Sequence, residues 1–167
     1  MTATEQYIQV LTHLKSGELG LLRQHAGRGL DESVEGFDLF AGLWWPLRAK
    51  NQRAPRRAVA WLIAKLYAFR PIEHSTGQTL ACQLGRCRKD KDPENDRVAQ
   101  SFDRMLSLPV EKIEPALQWA LDLIASKHHK LDWVELTNDL SLWERESKRL
   151  KWAEEFLKTS KEDRHVN

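Results

Sequence analysis

The sequence lacks the features on which disulfide-stabilised, membrane-spanning and nucleotide-binding proteins depend. Its 167 residues include two cysteines, Cys82 and Cys87, which are too few for a disulfide framework and are followed by no second ligand pair of a zinc module. No run of about 18 apolar residues occurs, and the N-terminus has no basic segment before an apolar stretch. No glycine-rich turn joins a strand pattern to a helix pattern. We therefore expect a soluble, cytoplasmic protein without a cofactor.

Residues that could support catalysis or bind a metal do not form a recognisable site. The adjacent His128 and His129 are followed by Lys130, where a helical metal-hydrolase site would need a carboxylate. The acids between residues 90 and 96 lie in a polar stretch and at the start of a helix, where carboxylates complement the helix dipole. No signature marks an activated Ser or Cys nucleophile. The sequence predicts a protein that is not an enzyme and holds no metal.

Apolar residues recur almost everywhere at helical spacing. The clearest stripe follows Pro55 and consists of Val59, Leu62, Ile63, Leu66 and Tyr67. Asp132 followed by Glu135 resembles a capping box at the start of another helix. No segment of more than four residues alternates as a strand would. The pattern predicts an all-α protein of about eight or nine helices.

Two breaks in the pattern indicate how these helices are divided. Proline disfavours helical geometry in the residue before it, so we expect Pro46 to end a helix and residues 47–54 to form a basic loop. The most polar run covers residues 88–96 and is the expected lobe boundary. The sequence therefore predicts an N-terminal helical lobe, residues 1–90, and a C-terminal helical lobe, residues 91–167.

Positive charge is concentrated in one segment of a nearly neutral chain. Residues 48–91, which we name the basic belt, contain eleven Lys or Arg and two acids, a net charge of +9. Residues 1–47 carry −3 and residues 92–167 carry −4, which together give the formal +2. A field of this sign attracts polyanions, of which nucleic-acid phosphate is the commonest. A solvated, charged surface is the alternative interpretation.

Three groups of basic residues are candidates for phosphate contact. On the helix after Pro55, the side chains off the apolar stripe are expected to face solvent: Arg56, Arg57 and Lys65. Arg53 in the preceding loop joins them near the helix start, where free N–H groups also favour phosphate. The second group consists of Arg86, Arg88, Lys89 and Lys91. The third group shares one face of the last helix, where salt bridges to neighbouring acids are the alternative: Arg145, Lys148 and Arg149.

Aromatic side chains do not interleave with these basic groups in the sequence. Most of the seven tryptophans fall on or beside apolar stripes, where they are expected to fill cores instead of stacking on bases. This favours contacts to the sugar-phosphate backbone over base reading. Two alternatives remain: a stand-alone DNA-binding regulator, which would need a recognition helix facing base edges, and a helical adaptor that binds only protein.

Several short elements occur in an order that is informative as a set. Those in the C-terminal third are Leu131-Asp132-Trp133, Leu140-Ser-Leu-Trp143, Lys148-Arg149 and Glu155-Phe156-Leu157. Those upstream are Gly17 with Leu22-Arg23, Arg56-Arg57 with the Ala-Val-Ala-Trp-Leu helix, Thr76-Gly77 through Leu80, Leu84-Gly85, and Arg97 with Phe102 and Met105-Leu106. In order and approximate spacing, nearly the whole chain resembles the CasB family, the small subunit of the Cascade effector of type I-E CRISPR systems.

The resemblance implies an all-helical, non-catalytic subunit present in two head-to-tail copies. Such a subunit bridges the large and backbone subunits and contacts guide RNA, target strand and displaced strand through basic residues, which stabilises the R-loop. Arg23 and Arg97 join the candidate nucleic-acid-binding residues on this basis. The family often has a second basic residue after the position of Arg23, and this chain has Gln24 there.

Overall fold

The chain is all-α in a computed structural model, which confirms the predicted fold class. The structure describes residues 1–32, 34–88 and 96–165. Within these ranges there are nine α-helices and no β-strand. The helices are α1 (Ala3–Thr12), α2 (Ser16–Arg23), α3 (Val34–Lys50), α4 (Arg57–Phe69), α5 (Leu80–Arg86), α6 (Arg97–Leu106), α7 (Glu114–Ser126), α8 (Trp133–Ser141) and α9 (Glu146–His165).

The helices belong to two compact units. The first unit comprises residues 1–71 and contains α1 to α4, and the second comprises residues 72–167 and contains α5 to α9. The lobe boundary predicted between residues 90 and 91 lies outside the described residues. Each unit has its own buried core.

In the first unit α4 is surrounded by its neighbours. Every residue from Val59 to Ala68 is buried, because α4 packs against α2 and α3 and because Tyr7 of α1 donates a hydrogen bond to the Ala60 carbonyl (2.5 Å). The prediction that Lys65 faces solvent was therefore wrong. Lys65 is 5% exposed, and its Nζ donates to the Arg28 carbonyl (2.8 Å), which supplies the partner that a buried ammonium needs.

The third helix continues through its proline. The prediction that Pro46 ends this helix was wrong, since α3 extends to Lys50 with the proline inside it. Proline removes one hydrogen bond from a helix interior. Beyond it the Leu47 carbonyl accepts a hydrogen bond from the Asn51 N–H (2.9 Å), so the last turn is closed. The additional turn brings Arg48 next to the loop that follows.

Large aromatic side chains fill the core of the second unit. Trp133 is fully buried, and its Nε1 donates to the Ile72 carbonyl (2.7 Å). Trp143 is 1% exposed, and its Nε1 donates to the Leu108 carbonyl (2.8 Å). Each indole buries a large apolar area while its N–H is paired. These residues confirm that tryptophans serve as core residues in this unit.

The start of α8 is joined to the loop before α5. Asp132 caps α8, since its Oδ1 accepts a hydrogen bond from the Glu135 N–H (2.9 Å). This is half of the predicted capping box, because the Asp132 N–H donates to the Gln78 carbonyl (2.7 Å) and not to the Glu135 side chain. Its Oδ2 accepts from the Gly77 N–H (2.8 Å). Gly77 has a φ of +89°, a conformation that glycine adopts without strain. Two of the short sequence elements, separated by more than fifty residues, thus meet at one junction.

Helices α5 and α9 approach each other closely at Gly85. A Cβ at this position would lie 2.8 Å from the Phe156 carbonyl oxygen and 3.1 Å from the Thr159 Cβ. The nearer neighbour is backbone, which cannot move without shifting α9. The close packing of the two helices therefore depends on a residue without a side chain.

We expect Gly85→Ala to lower the free energy of unfolding by about 1–3 kcal/mol, as overpacking does, in chemical denaturation. Gly42→Ala in α3 is the matched control, because a Cβ there meets nothing within 4 Å. That control should leave stability unchanged or raise it by up to about 1 kcal/mol. Equal stability of Gly85→Ala and the wild type would contradict the close packing of α5 and α9.

Candidate nucleic-acid interface

Three of the predicted arginines lie on the surface where α3 leads into α4. We name residues 45–57 the α3–α4 corner, which comprises the end of α3, the loop and the first residue of α4. Arg53, Arg56 and Arg57 are all exposed there. The sequence contains no acid between Asp38 and Glu73, whereas it has five Lys or Arg between residues 48 and 57. The corner is a local concentration of positive charge.

Two side chains of α3 hold the loop of the corner in place. Arg48 Nη1 donates to the carbonyls of Gln52 and Ala54, both at 2.7 Å. Trp44 Nε1 donates to the Pro55 carbonyl, also at 2.7 Å. Because the loop is fixed by the helix before it, its exposed arginines are positioned before any ligand arrives, which lowers the entropic cost of binding.

The first turn of α4 contributes backbone donors to the same corner. Its N-cap is Arg56, whose side chain makes no capping hydrogen bond, and the first turn contains no acid. The unpaired N–H groups at a helix start and the helix dipole both favour an anion. Guanidinium groups and a helix start without a side-chain cap therefore occur within the same few residues.

An exposed indole also lies in this corner, which corrects the prediction that no exposed aromatic accompanies the basic groups. Trp45 is 62% exposed and, with Phe40, Ala41, Trp44 and Arg57, lines a shallow groove. The adjacent Trp44 is 8% exposed and stacks on Phe40 with 5.5 Å between ring centroids. Neighbouring helix residues point about 100° apart, so only one of the two indoles enters the core.

The second group of predicted residues lies in the second unit. Arg86 is exposed, and its Nη1 donates to the side-chain oxygens of Gln78 (2.8 Å) and Gln83 (3.0 Å). Lys89 and Lys91, which complete this group, lie outside the described residues. Arg86 is thus a surface cation that is held by two amides.

Arg88, from the same group, forms an ion pair with a buried carboxylate. Its Nε donates to Asp96 Oδ2 (2.5 Å), and its Nη2 contacts the same oxygen. The Arg88 side chain is 13% exposed and that of Asp96 is 2% exposed. Asp96 also caps α6 through the Ala99 N–H (3.0 Å), and the guanidinium lies 5.2 Å from the Phe156 ring centroid. Arg88 therefore has a structural role.

The third group does not share one helix face, because α9 begins at Glu146 and Arg145 precedes it. Arg145 is exposed. Arg149 donates to the carbonyls of Trp143 (3.3 Å) and Glu144 (3.4 Å). Both acceptors are main-chain oxygens of the second unit, whereas the alternative interpretation for this group was salt bridges to acidic side chains.

Lys148 and Lys151 both point to one buried carboxylate. Their Nζ atoms each lie 3.5 Å from Asp139 Oδ1, and Asp139 Oδ2 accepts a hydrogen bond from Trp152 Nε1 (2.8 Å). Burial raises the pKa of the Asp139 carboxyl, and the indole N–H and the two ammonium groups offset only part of this effect. Lys148 therefore helps to neutralise an internal charge. Lys151, to which the sequence assigned no role, also pairs with Glu135.

The two arginines taken from the family resemblance differ in their surroundings. Arg23 is in the last turn of α2, and its Nε donates to the Ala68 carbonyl near the end of α4 (2.7 Å). The last carbonyls of a helix lack helical partners, so the Arg23 side chain supplies a donor to one of these carbonyls at the end of α4. Arg97 is the first residue of α6 and is exposed.

Among the residues that the structure describes, no group of three or more His, Cys, Asp or Glu side chains is arranged to hold a metal ion. The described helices include none that is long and apolar enough to cross a bilayer. His128 has a φ of +57° and lies just after α7.

Comparison with known proteins places this helical chain among the CRISPR-associated proteins. The family model of CRISPR-associated protein Cse2 matches residues 18–157, most of the chain, and the chain belongs to this family. The resemblance to the CasB family is thereby confirmed, and the protein is a subunit of the CRISPR Cascade complex. A comparison with curated proteins gives no match.

Solved structures of three CasB proteins have the same fold. CasB from M. ruber has a TM-score of 0.78 at 21% identity, over 99% of this chain and 98% of that chain. CasB from Thermus thermophilus has a TM-score of 0.70 at 22% identity, over 94% and 99%. CasB from Thermobifida fusca has a TM-score of 0.69 at 13% identity, over 95% and 94%.

Proposed function

We propose that this protein is a non-catalytic subunit that binds the sugar-phosphate backbone of nucleic acid at the α3–α4 corner. Within a Cascade complex in the cytoplasm, it stabilises the pairing of guide RNA with target DNA and holds the displaced strand of the R-loop. The observation that carries this proposal is the corner itself, where three exposed arginines surround a helix start without a side-chain cap on a prepositioned loop.

The structure of the first unit favours backbone contact over base reading. A recognition helix presents polar side chains along its length to base edges in the major groove. Helix α4 is buried from Val59 to Ala68, so it offers no such surface. The exposed cations lie in a loop and at the start of a helix, where they reach phosphates. This arrangement argues against a stand-alone DNA-binding regulator.

The candidate residues fall into two sets, according to what surrounds their side chains. Exposed cations of the second unit contribute further backbone contacts: Arg86, Arg97 and Arg145. Lys89 acts with them. Four residues act chiefly in folding, because each binds a main-chain carbonyl or a carboxylate of its own unit: Arg23, Arg88, Lys148 and Arg149. We further propose that two copies lie head-to-tail and bridge the large and backbone subunits.

Fluorescence anisotropy with labelled single strands and duplexes of several unrelated sequences tests this proposal. Because phosphate contacts carry no sequence information, we expect dissociation constants that agree within about threefold across the set. One strongly favoured duplex would support a regulator instead. No binding to any strand at low salt would contradict the proposal and favour an adaptor that binds only protein.

A further inference from the structure

We infer that the Trp45 indole stacks against an unpaired base, so that the α3–α4 corner binds single-stranded nucleic acid in preference to duplex. This inference rests on the proposed function and adds a base contact to the phosphate contacts. The class of ligand is a nucleotide within a single strand, whether DNA or RNA.

The exposure of Trp45 is unusual for this chain. The large apolar side chains that the described residues expose are Met1, Trp45, Leu150 and Leu157, and Trp45 is the only aromatic among them. Burial of an indole is strongly favourable, and tryptophan is enriched at binding interfaces, so the exposed ring is a candidate contact for a ligand.

The indole is supported by a fixed neighbour. The rings of Trp44 and Trp45 meet edge-on, with 5.8 Å between centroids and 62° between planes. Trp44 is itself held by stacking on Phe40 and by its hydrogen bond to the Pro55 carbonyl. Because Trp44 restricts the motion of the Trp45 ring, this ring loses little conformational freedom when a base stacks on it.

Charge and apolar surface lie side by side in the groove. Arg57 lines the groove together with Trp45, and Arg53 and Arg56 lie in the same corner. In a nucleotide, a flat base is joined through one sugar to a phosphate. A stacking ring and a guanidinium that line one groove therefore match the two ends of a single nucleotide, as in other single-strand binders.

A nucleotide fits this surface better than an apolar protein segment does. Covering Trp45 with an apolar partner would also remove the neighbouring guanidinium groups from water, which is costly for a charged group. A nucleotide supplies both a flat apolar face and an anion. Bases in a duplex are already stacked on one another, so only a single strand offers a free face.

A comparison of normal and abasic strands isolates the base contact. The two labelled oligonucleotides have the same length and the same phosphates, and the abasic one has no bases. In anisotropy measurements we expect the wild type to bind the normal strand about 5- to 150-fold more tightly, the range for one base on an aromatic side chain. DNA and RNA strands should behave alike.

Substitutions at Trp45 then assign the contact. Trp45→Ala should lower affinity for the normal strand to the abasic level and leave abasic affinity unchanged, whereas Trp45→Phe should keep most of the difference. Leu150→Ala removes another exposed apolar side chain, 56% exposed, and should change neither affinity.

The outcomes separate this inference from the proposed function. Equal binding of normal and abasic strands by the wild type would overturn stacking while backbone binding stands. A difference that persists in Trp45→Ala would place the base contact elsewhere and also overturn the inference. Failure of both strands to bind would overturn the proposed function itself.

Discussion

Replacement of Arg53, Arg56 and Arg57 by Glu together should lower the affinity for single-stranded nucleic acid by about 100-fold or more at low salt. Each substitution changes the charge by two units, so the corner changes from attracting phosphate to repelling it. Three lost contacts of about 1 kcal/mol each correspond to a factor of this size. All three side chains are exposed, so thermal unfolding should show an intact fold.

A second charge-reversed variant controls for net charge. It changes three exposed cations of the second unit to Glu, namely Arg104, Lys112 and Lys127. Both triple variants have the same net charge, yet this one should bind with nearly wild-type affinity. Equal losses in the two variants would show that affinity follows the charge of the whole chain, and the corner would no longer be the binding site.

Arg88→Ala should cause a large loss of stability. Asp96, whose side chain is 2% exposed, would keep its backbone hydrogen bond and lose its only described ion pair. Removing one partner of a buried pair leaves an uncompensated charge, which typically costs about 3–5 kcal/mol. Chemical denaturation should show a decrease of this size in the free energy of unfolding.

A compensating substitution distinguishes the ion pair from simple loss of packing. Asp96→Asn keeps an oxygen that can cap α6 and removes the buried charge, so Arg88→Ala combined with Asp96→Asn should be more stable than Arg88→Ala alone. If Arg88→Ala cost less than about 1 kcal/mol, the structural role of Arg88 would be wrong. Arg88 would then return to the candidate phosphate ligands.

Features set by local pattern could be predicted from the sequence. Helical periodicity predicted the all-α class, because nearly every apolar residue recurs at a spacing that places it on the apolar face of a helix. The Asp132 cap was predictable because its partner is only three residues away. The family resemblance was predictable for a related reason. Residues such as Trp133 and Gly85 occupy positions that the packing restricts, so their order along the chain is informative.

Features set by tertiary contacts could not be predicted in this way. Lys65 looked exposed because it lies off the apolar stripe, but its ammonium group is buried and donates a hydrogen bond to the Arg28 carbonyl. Arg88 looked like a surface cation because its partner Asp96 lies eight residues further along the chain, at the N-cap of α6. Trp45 looked buried because tryptophan usually is, and only the orientation of α3 shows which of two adjacent indoles faces solvent.

The salt dependence of single-strand affinity tests backbone binding at the α3–α4 corner most directly. Each neutralised phosphate contributes about 0.7 to the slope of log K against log salt for single strands, so three corner arginines predict a slope of about −2 or steeper. The variant with Glu at all three positions should lose most of this slope, and Trp45→Ala should keep it. An affinity that does not change with salt, or an equal slope in the charge-reversed corner variant, would contradict phosphate binding at this site.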